Sequence, residues 1–251
     1  MGMGQVRALT AGTYVARLAD DPADLSRALA LRNLVFRKGS PAAPDADAFD
    51  AACQHMLIED AASQRLVCCY RVMILPDADA IHHSYSAQFY DLSRLATFGG
   101  PMLELGRFCV HPDCADADVL RLAWGALARI VNQTGAVMLF GCSSFDGAHG
   151  PNHDAALTLL QADHLAQDIW RPLRKAPAIY DFATVLAGRA PDLRAALRAM
   201  PPLLRTYLAM GGWVSDHAVL DADLNTLHVF TAVEIAKIPA ARARALRAIA
   251  G

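Results

Sequence analysis

An α+β, or mixed α/β, domain is what this sequence predicts, and three observations predict it. Two strand-like runs, MLIED (56–60) and RLVCCYRVMIL (65–75), are separated only by the polar AASQ, the pattern of a hairpin. Apolar residues at 119, 122, 123, 126, 127, 130 and 131 recur with the helical period. Along the chain the order is helix, antiparallel strands, strand, helix, strand, helix. At 251 residues, 54% of them hydrophobic, the chain has the length for one large domain, or a domain with an annex, and a sizeable core.

The first helix is announced by DDPADLSRALALRNLVFRKG (20–39). Asp21 is placed to cap it, Pro22 suits its first turn, and Asp24 favours the positive end of its dipole. Arg32 and Phe36, four apart, share a face. After Gly39, SPAAPDADAFD (40–50) is too polar and proline-broken for regular structure. The hairpin follows, with Arg71 interrupting its second strand. PDADAIHHSYSAQFYDLSRL (76–95) reads as loop and short helix, and MLELGRFCV (102–110) as a third strand. Asp116 and Asp118 open the second helix and Gly135 stops it. AVMLFGC (136–142) reads as a buried strand, SSFDGAHGPN (143–152) as a glycine-rich loop, and HDAALTLLQADHL (153–165) as the start of another helix. Beyond residue 170, basic segments alternate with strand-like runs such as AIYDFATVL (178–186) and the proline-marked turn MPPLL (200–204). Residues 1–170 are therefore read as the core and 171–251 as a C-terminal extension packed on the same domain.

The net charge of −2 says little about partners, but its distribution is uneven. Between Arg171 and Arg205, seven basic residues (Arg171, Arg174, Lys175, Arg189, Arg194, Arg198, Arg205) are set against two acids, Asp181 and Asp192. Such an excess suits an acidic protein or an anionic membrane surface, and equally a set of solvated helix faces. The six cysteines form no CxxC pair and three lie in apolar runs, which reads as buried reduced thiols rather than a disulfide framework. The N-terminal MGMGQVRALTAGTYVARLAD lacks the continuous apolar core of a signal peptide. No apolar run approaches the ~18 residues that span a bilayer. A cytoplasmic location is expected, with a peripheral contact at the cytoplasmic membrane left open.

LELGRFCVHPD (103–113) is the least ordinary stretch, because a core-like strand carries Glu104 and Arg107. Burying either charge unpaired costs several kcal/mol on an order-of-magnitude basis. One explanation is a structural ion pair. Side chains alternate along a strand, however, so a separation of three puts the two on opposite faces. A bulge at Gly106 would re-aim one of them, and glycine makes that distortion cheapest. A bulged strand flanked by charge points to a site.

ELGRFCVHPD, the amphipathic helix after it, and then MLFGCSSFDG resemble the acyltransferases that acylate the α-amine of ornithine. ALRNLVFRKG, DADAFDAACQHMLIED (with Phe49, Asp50 and His55), RLVCCYRVM, PPLLRTYLAMGGWV and DADLNTLHVF resemble the same family, so the likeness runs in order along nearly the whole chain. That family belongs to the GNAT superfamily and is related to the acyl-homoserine-lactone synthases. Those synthases share the arginine and phenylalanine of the first helix, the aspartates after it, the arginine of the hairpin strand, and the Glu-x-x-Arg strand. The resemblance implies a GNAT acyltransferase fold, a central mostly antiparallel sheet with a bulged, splayed strand pair flanked by helices. It implies no bound cofactor but a donor, a 3-hydroxyacyl chain on the phosphopantetheine of acyl carrier protein. The acceptor it implies is ornithine and the product lyso-ornithine lipid. One departure bears on the donor. Ordinary GNAT acetyltransferases cradle the coenzyme A pyrophosphate in a glycine-rich turn at the start of the helix after this strand. Here DCADADVLRL has no glycine and carries Asp113, Asp116 and Asp118, which would repel a pyrophosphate.

The residues suit amine acylation. Glu104 is the candidate base for the attacking amine, directly or through water. Arg107 joins it in the catalytic pair, and backbone N–H groups freed near Gly106 are candidate oxyanion donors. Arg107 and Arg71 are candidates for the ornithine carboxylate, Arg32 for orienting Asp47 or Asp50, and those two acids for the second amine. Phe108 completes the substrate-binding set, and Arg171, Arg174 and Lys175 are the candidate carrier-docking residues. No metal is required. HGPNH (149–153) has glycine and proline between its histidines, which speaks against a helical metal pair. Cys142-Ser143-Ser144 lacks the nucleophile-elbow glycines, and Cys109, His111 and Asp113 are too close in sequence to imply triad geometry. In the C-terminal IPAARARALRAIAG, Arg242, Arg244 and Arg247 fit either a plain surface helix or a membrane contact. Glutamine, another amino-acid amine, or a homoserine-lactone precursor remains open as acceptor. A non-catalytic lipid- or carrier-binding module is the alternative of another class, and it gives no reason for a base beside a bulge.

Overall fold

The computed structural model describes residues 8–40 and 45–250. The N-terminal segment read above for targeting signals lies outside them through residue 7, as do residues 41–44 of the proline-broken loop. In chain order the elements are β1 (Leu9–Ala11), β2 (Tyr14–Leu18), α1 (Pro22–Phe36), β3 (Gln54–Asp60), β4 (Leu66–Leu75), β5 (Tyr90–Asp91), β6 (Met102–Val110), α2 (Ala117–Thr134), β7 (Met138–Asp146) and α3 (Asp154–Asp163). They continue with β8 (Leu173–Arg174), β9 (Ile179–Asp181), α4 (Phe182–Val185), α5 (Leu193–Ala199), α6 (Pro202–Ala209), β10 (Trp213–Asp221), β11 (Thr226–Glu234) and α7 (Ala240–Ala250). The chain divides into two compact units: Met1–Ile74 with Leu105–Ala136 and Ala240–Gly251, and Leu75–Glu104 with Val137–Pro239. None of these divisions falls at residue 170.

In the first unit the strand order is β1-β2-β3-β4-β6, and β1–β2, β2–β3 and β3–β4 are antiparallel. Helix α1 starts as its sequence indicates, with the Asp21 carboxylate accepting the Asp24 N–H at 2.7 Å and Pro22 at the first position, where its missing N–H matters least. Ala28 and Leu31 of α1 pack with Leu57, Leu66, Cys69 and Cys109. Helix α2 is capped by Asp116, which accepts the Asp118 N–H at 2.8 Å, and ended by Gly135 at φ +65°. The periodic apolar residues Val119, Leu122, Ala123, Ala126, Leu127, Ile130 and Val131 are all buried. Gly125 lets α7 approach closely, because a Cβ there would overlap the Ile249 side chain.

In the second unit the order is β6-β7-β11-β10-β9. Met102–Glu104 of β6 run parallel to β7, while β7–β11, β11–β10 and β10–β9 are antiparallel. Strands β10 and β11, from the expected extension, thus sit within this sheet. Strand β7 continues through SSFD, read above as loop, because β11 pairs with it as far as Asp146. AIYDFATVL is a strand only over Ile179–Asp181 before turning into α4, and the prolines of MPPLL open α6, where Pro202 occupies the start. Leu157, Leu160, Phe182, Leu186, Ala196 and Leu204 from the helices pack with Phe145, Val214 and Val229 of the sheet. The register of β10 on β11 shifts between Val214 and Ala218, where the Ser215 hydroxyl accepts the Phe230 N–H at 3.1 Å and donates to the His217 carbonyl at 2.7 Å. All six cysteines are free thiols.

Candidate active site

Three arginines and three aspartates form a cluster in the first unit. Arg32, on the last turns of α1 and only 1% exposed, donates from Nε to Asp45 at 2.7 Å and from a terminal nitrogen to Asp50 at 2.6 Å. Arg71, on β4, makes a bidentate pair with Asp47 at 2.5 and 2.9 Å and reaches Asp50 at 2.6 Å. Arg107, on β6, donates to Asp45 and Asp47, both at 3.2 Å. Asp45 and Asp47 lie outside helix and strand and Asp50 opens the short 3-10 turn Asp50–Ala52, so the arginines do much of what a backbone ladder does elsewhere. It also pins itself: the Asp50 carboxylate accepts the Asp47 N–H at 2.9 Å, and the Asp47 carboxylate accepts the Phe49 N–H at 3.0 Å. The His55 ring meets the Asp50 carbonyl at 3.0 Å. Aromatic faces flank the cations, with Phe49 5.8 Å from the Arg71 guanidinium and Phe36 6.0 Å from that of Arg107.

The electrostatics follow from these pairs. Burial is the largest single influence and would raise the Asp50 carboxyl, but the hydrogen bonds from Arg32, the Asp47 N–H and Arg71, with the Arg32 charge, together outweigh it and hold the group down at about 2. Burial likewise opposes ionisation of Asp47, and Arg71 overrides it, leaving Asp47 below its ordinary value. For Arg71, desolvation is outweighed by Asp47 and Asp50, which push its value up. Burial lowers His55.

Arg107 is held at φ +52°, in the left-handed region that costs a non-glycine residue roughly 1–2 kcal/mol. The sequence locates the distortion at Gly106, and the left-handed residue is the next one. The Arg71 side chain runs alongside Gly106, where an added Cβ would make ordinary contact at 3.5 Å. Phe108 stacks nearly parallel on Tyr70 at 5.4 Å.

Glu104 belongs to the second unit, in a different set of hydrogen bonds. It is 4% exposed. One oxygen accepts the Ser86 N–H at 2.7 Å and the Ser86 hydroxyl at 2.6 Å, and the other accepts the Tyr85 N–H at 2.7 Å. The carboxylate therefore sits at the start of the 3-10 turn Ser86–Gln88, whose first N–H groups have no partner within the turn. The Ser86 hydroxyl also lies 3.4 Å from the Cys142 thiol. The buried phenol of Tyr207, on α6, is pushed up by desolvation and then by the Glu104 charge.

The RPLRK residues are engaged one by one. Arg171 donates to the Ala166 carbonyl at 3.0 and 3.3 Å and pairs with Asp168 at 2.7 Å. Arg174 pairs with Asp181 at 2.7 Å, and Lys175 donates to the Ala87 carbonyl at 2.6 Å. Arg94, Asp168, Arg171, Arg174 and Asp216 border a cleft of about 500 Å³. In HGPNH, His153 binds the Gly147 carbonyl at 2.9 Å and His149 is exposed.

The structure brings Arg32, Asp47, Asp50, Arg71 and Arg107, all named from the sequence, into one neighbourhood, together with Asp45, which sequence reasoning missed and which is 1% exposed and shared by Arg32 and Arg107. The D-x-D alternation in DADAFD was the available signal. Sequence reasoning also missed Tyr85 and Ser86. Their backbone N–H groups do most of the work at Glu104, and backbone donors leave no trace in residue type.

Residues 31–125 match the family model described as an acetyltransferase (GNAT) domain. Among solved structures, FeeM, an N-acyl amino acid synthase from uncultured soil microbes, is 9% identical and aligns over 89% of this chain and 92% of its own with a TM-score of 0.51, which shows a common fold. The matched segment and the shared fold agree on a GNAT fold. The chain is also 34% identical over 244 residues to the L-ornithine N(alpha)-acyltransferase of Brucella abortus (strain 2308), covering 90% of this chain and 86% of that protein. It is 34% identical over 231 residues to the protein of that name from Rhodobacter capsulatus, covering 86% and 88%. The chain belongs to the L-ornithine N(alpha)-acyltransferase family.

Proposed function

We propose that this chain transfers a 3-hydroxyacyl group from the phosphopantetheine thioester of acyl carrier protein to the α-amine of ornithine, giving lyso-ornithine lipid. The observation that carries the reading is the identity of 34% spanning 90% of the chain with a protein named for acylating that amine. In the reaction the amine attacks the thioester carbonyl, the C–N bond forms, the C–S bond breaks, and the amine's proton must leave. Glu104 is the proposed base. Arg71 and Arg107 are proposed to meet the acceptor's carboxylate and Asp47 its second ammonium, opposite charges that the cluster already holds side by side at 2.5–3.2 Å. The oxyanion is assigned to backbone donors around Gly106 and Arg107, where the left-handed residue interrupts a regular strand.

The start of α2 supports a carrier-bound donor over coenzyme A. Its Asp118 N–H is turned to the capping Asp116 carboxylate, and Asp118 itself adds charge in the first turn, so an incoming pyrophosphate meets negative charge. Arg171, Arg174 and Lys175 are proposed to meet the acidic carrier. The reading places the enzyme in the cytoplasm, where carrier and ornithine are available, and no helix among the described residues is long and apolar enough to cross a membrane.

The test is an assay of the purified chain with 3-hydroxyacyl carrier protein and, separately, ornithine, lysine and glutamine. Ornithine is expected to be acylated fastest, with the product identified by mass spectrometry as the α-amide. Preference for glutamine would overturn the acceptor, and equal use of 3-hydroxyacyl coenzyme A would overturn the donor.

A further inference from the structure

The second unit turns apolar side chains outward on a short helix that carries two cations without a salt bridge among the described residues. On α5, Leu193 and Leu197 are 59% and 44% exposed and stand four residues apart on one face, while Ala196 and, just past the helix, Met200 are buried. Arg194 and Arg198 are exposed beside them. The nearest acid in sequence, Asp192, is used as the helix cap and accepts the Ala195 N–H at 3.0 Å. Among the described residues no salt bridge involves Arg194 or Arg198, whereas Arg174 and Arg189 are paired with Asp181 and Asp154. Elsewhere in the unit Ile169, Val185 and Leu173 are also turned outward, at 61%, 39% and 37% exposed.

We propose that α5 is a bilayer-contact surface, on which Leu193 and Leu197 enter the headgroup boundary of an anionic membrane while Arg194 and Arg198 lie against lipid phosphates. Leucines on one face with arginines along its flank suit a helix that lies in the interface, and arginine's long stem lets its head stay at phosphate level. An acidic protein is the less suited occupant. A helix of seven residues offers two leucines, far short of the ~800 Å² per partner of a stable protein interface, but a bilayer needs no matching shape. Helix α7 is not the equivalent surface despite Arg242, Arg244 and Arg247, because its Ile249 packs against Gly125 of α2 and the Arg129 side chain donates to its Ala250 carbonyl at 2.9 Å. An acylated amino acid would leave such an enzyme directly into a bilayer, but the contact stands or falls without the proposed reaction.

The test is flotation of the full chain with vesicles of phosphatidylcholine alone or mixed with phosphatidylglycerol. Wild type is expected on the mixed vesicles only, and less so as salt rises. Each cation near an anionic surface is worth a factor of about five, so Arg194→Gln with Arg198→Gln should lower partition roughly 25-fold. Leu193→Ser with Leu197→Ser should lower it by about tenfold or more. Both pairs should keep wild-type melting and wild-type turnover of a short, water-soluble acyl donor. Reversal of Arg242, Arg244 and Arg247 to Glu should leave flotation intact if α5 is the contact. The proposal is overturned if wild type stays with the soluble fraction, or if either α5 pair floats like wild type. It is also overturned if the α5 variants bind vesicles normally and lose affinity for the acyl carrier protein.

Discussion

Glu104→Gln separates a base from an anchor. In wild type the carboxylate accepts hydrogen bonds from the Tyr85 N–H, the Ser86 N–H and the Ser86 hydroxyl. A glutamine keeps one acceptor oxygen for Ser86, but its amide NH2 then faces the Tyr85 N–H. One hydrogen bond to a charged group is lost, about 1.5–3 kcal/mol, against a total stability on the order of 5–15 kcal/mol. The variant should therefore fold, with a melting temperature lower by a few to about ten degrees. If Glu104 takes the amine's proton, turnover should fall by roughly 10²–10⁴ on top of that. Ser86→Ala is the control, because it removes one of these donors and leaves the carboxylate in place. It should lose stability by a similar or smaller amount while keeping a rate close to wild type. The assay is release of the carrier thiol at saturating ornithine, read beside thermal melts of both variants. Turnover by Glu104→Gln within about an order of magnitude of wild type would refute the base. Loss of activity by both variants in step with their stability would make Glu104 the anchor of the Tyr85–Ser86 turn and nothing more.

The Asp50 cluster makes stability acid-sensitive. Its carboxyl is depressed from 3.8 to about 2 in the folded chain, so its contribution is complete above the unfolded value and is lost as pH falls through about 2. That amounts to about 2 kcal/mol, read as a fall in the urea midpoint between pH 4 and pH 2 that Asp50→Asn should flatten, at a cost of about 3–5 kcal/mol at neutral pH for leaving Arg32 short of an anion. For carrier docking, Arg174→Glu is the cleanest reversal, because Arg171 and Lys175 also hold the Ala166 and Ala87 carbonyls. Exposed pairs are worth ~0.2–1 kcal/mol each, so the KM for acyl carrier protein should rise severalfold at low salt while that for ornithine stays put; an unchanged donor KM would show a solvated face.

The first helix, the hairpin, the charged strand and α2 were legible because their determinants are local: a cap, a period and a stop within one segment. Hairpin β1–β2 was not, since β1 is three residues long and three residues carry no period. AIYDFATVL reads as one strand because its apolar run has no internal break, yet only Ile179–Asp181 finds a partner, in β10. For the site, residue type was enough to gather the arginines and aspartates, since buried guanidinium and carboxylate groups must find each other. It was not enough for Glu104, whose partners are mostly main-chain N–H groups from a turn that any residue type supplies.

Exposure within the cluster says where an acceptor would enter. Arg32 and Asp45 are each 1% exposed, and Arg71 is close to that, whereas the side chains of Asp47 and Arg107 are 24% and 10% exposed and lie 3.2 Å apart. The edge of the network is thus one anion beside one cation. Ornithine with its reacting amine neutral carries one carboxylate and one ammonium, so it matches that edge in kind, and each of its charges gains a partner without stranding one on the protein. Glutamine in the same state brings a carboxylate alone. Arg107 would have to loosen from Asp47 to receive it, leaving Asp47 to Arg71 alone with no charge from the ligand. The buried members, Arg32 with Asp45 and Asp50, have no such freedom, and their part is to hold the loop that presents Asp47. A left-handed Arg107 fits that division, because the backbone strain is spent on aiming the more exposed of the two guanidiniums that meet Asp47.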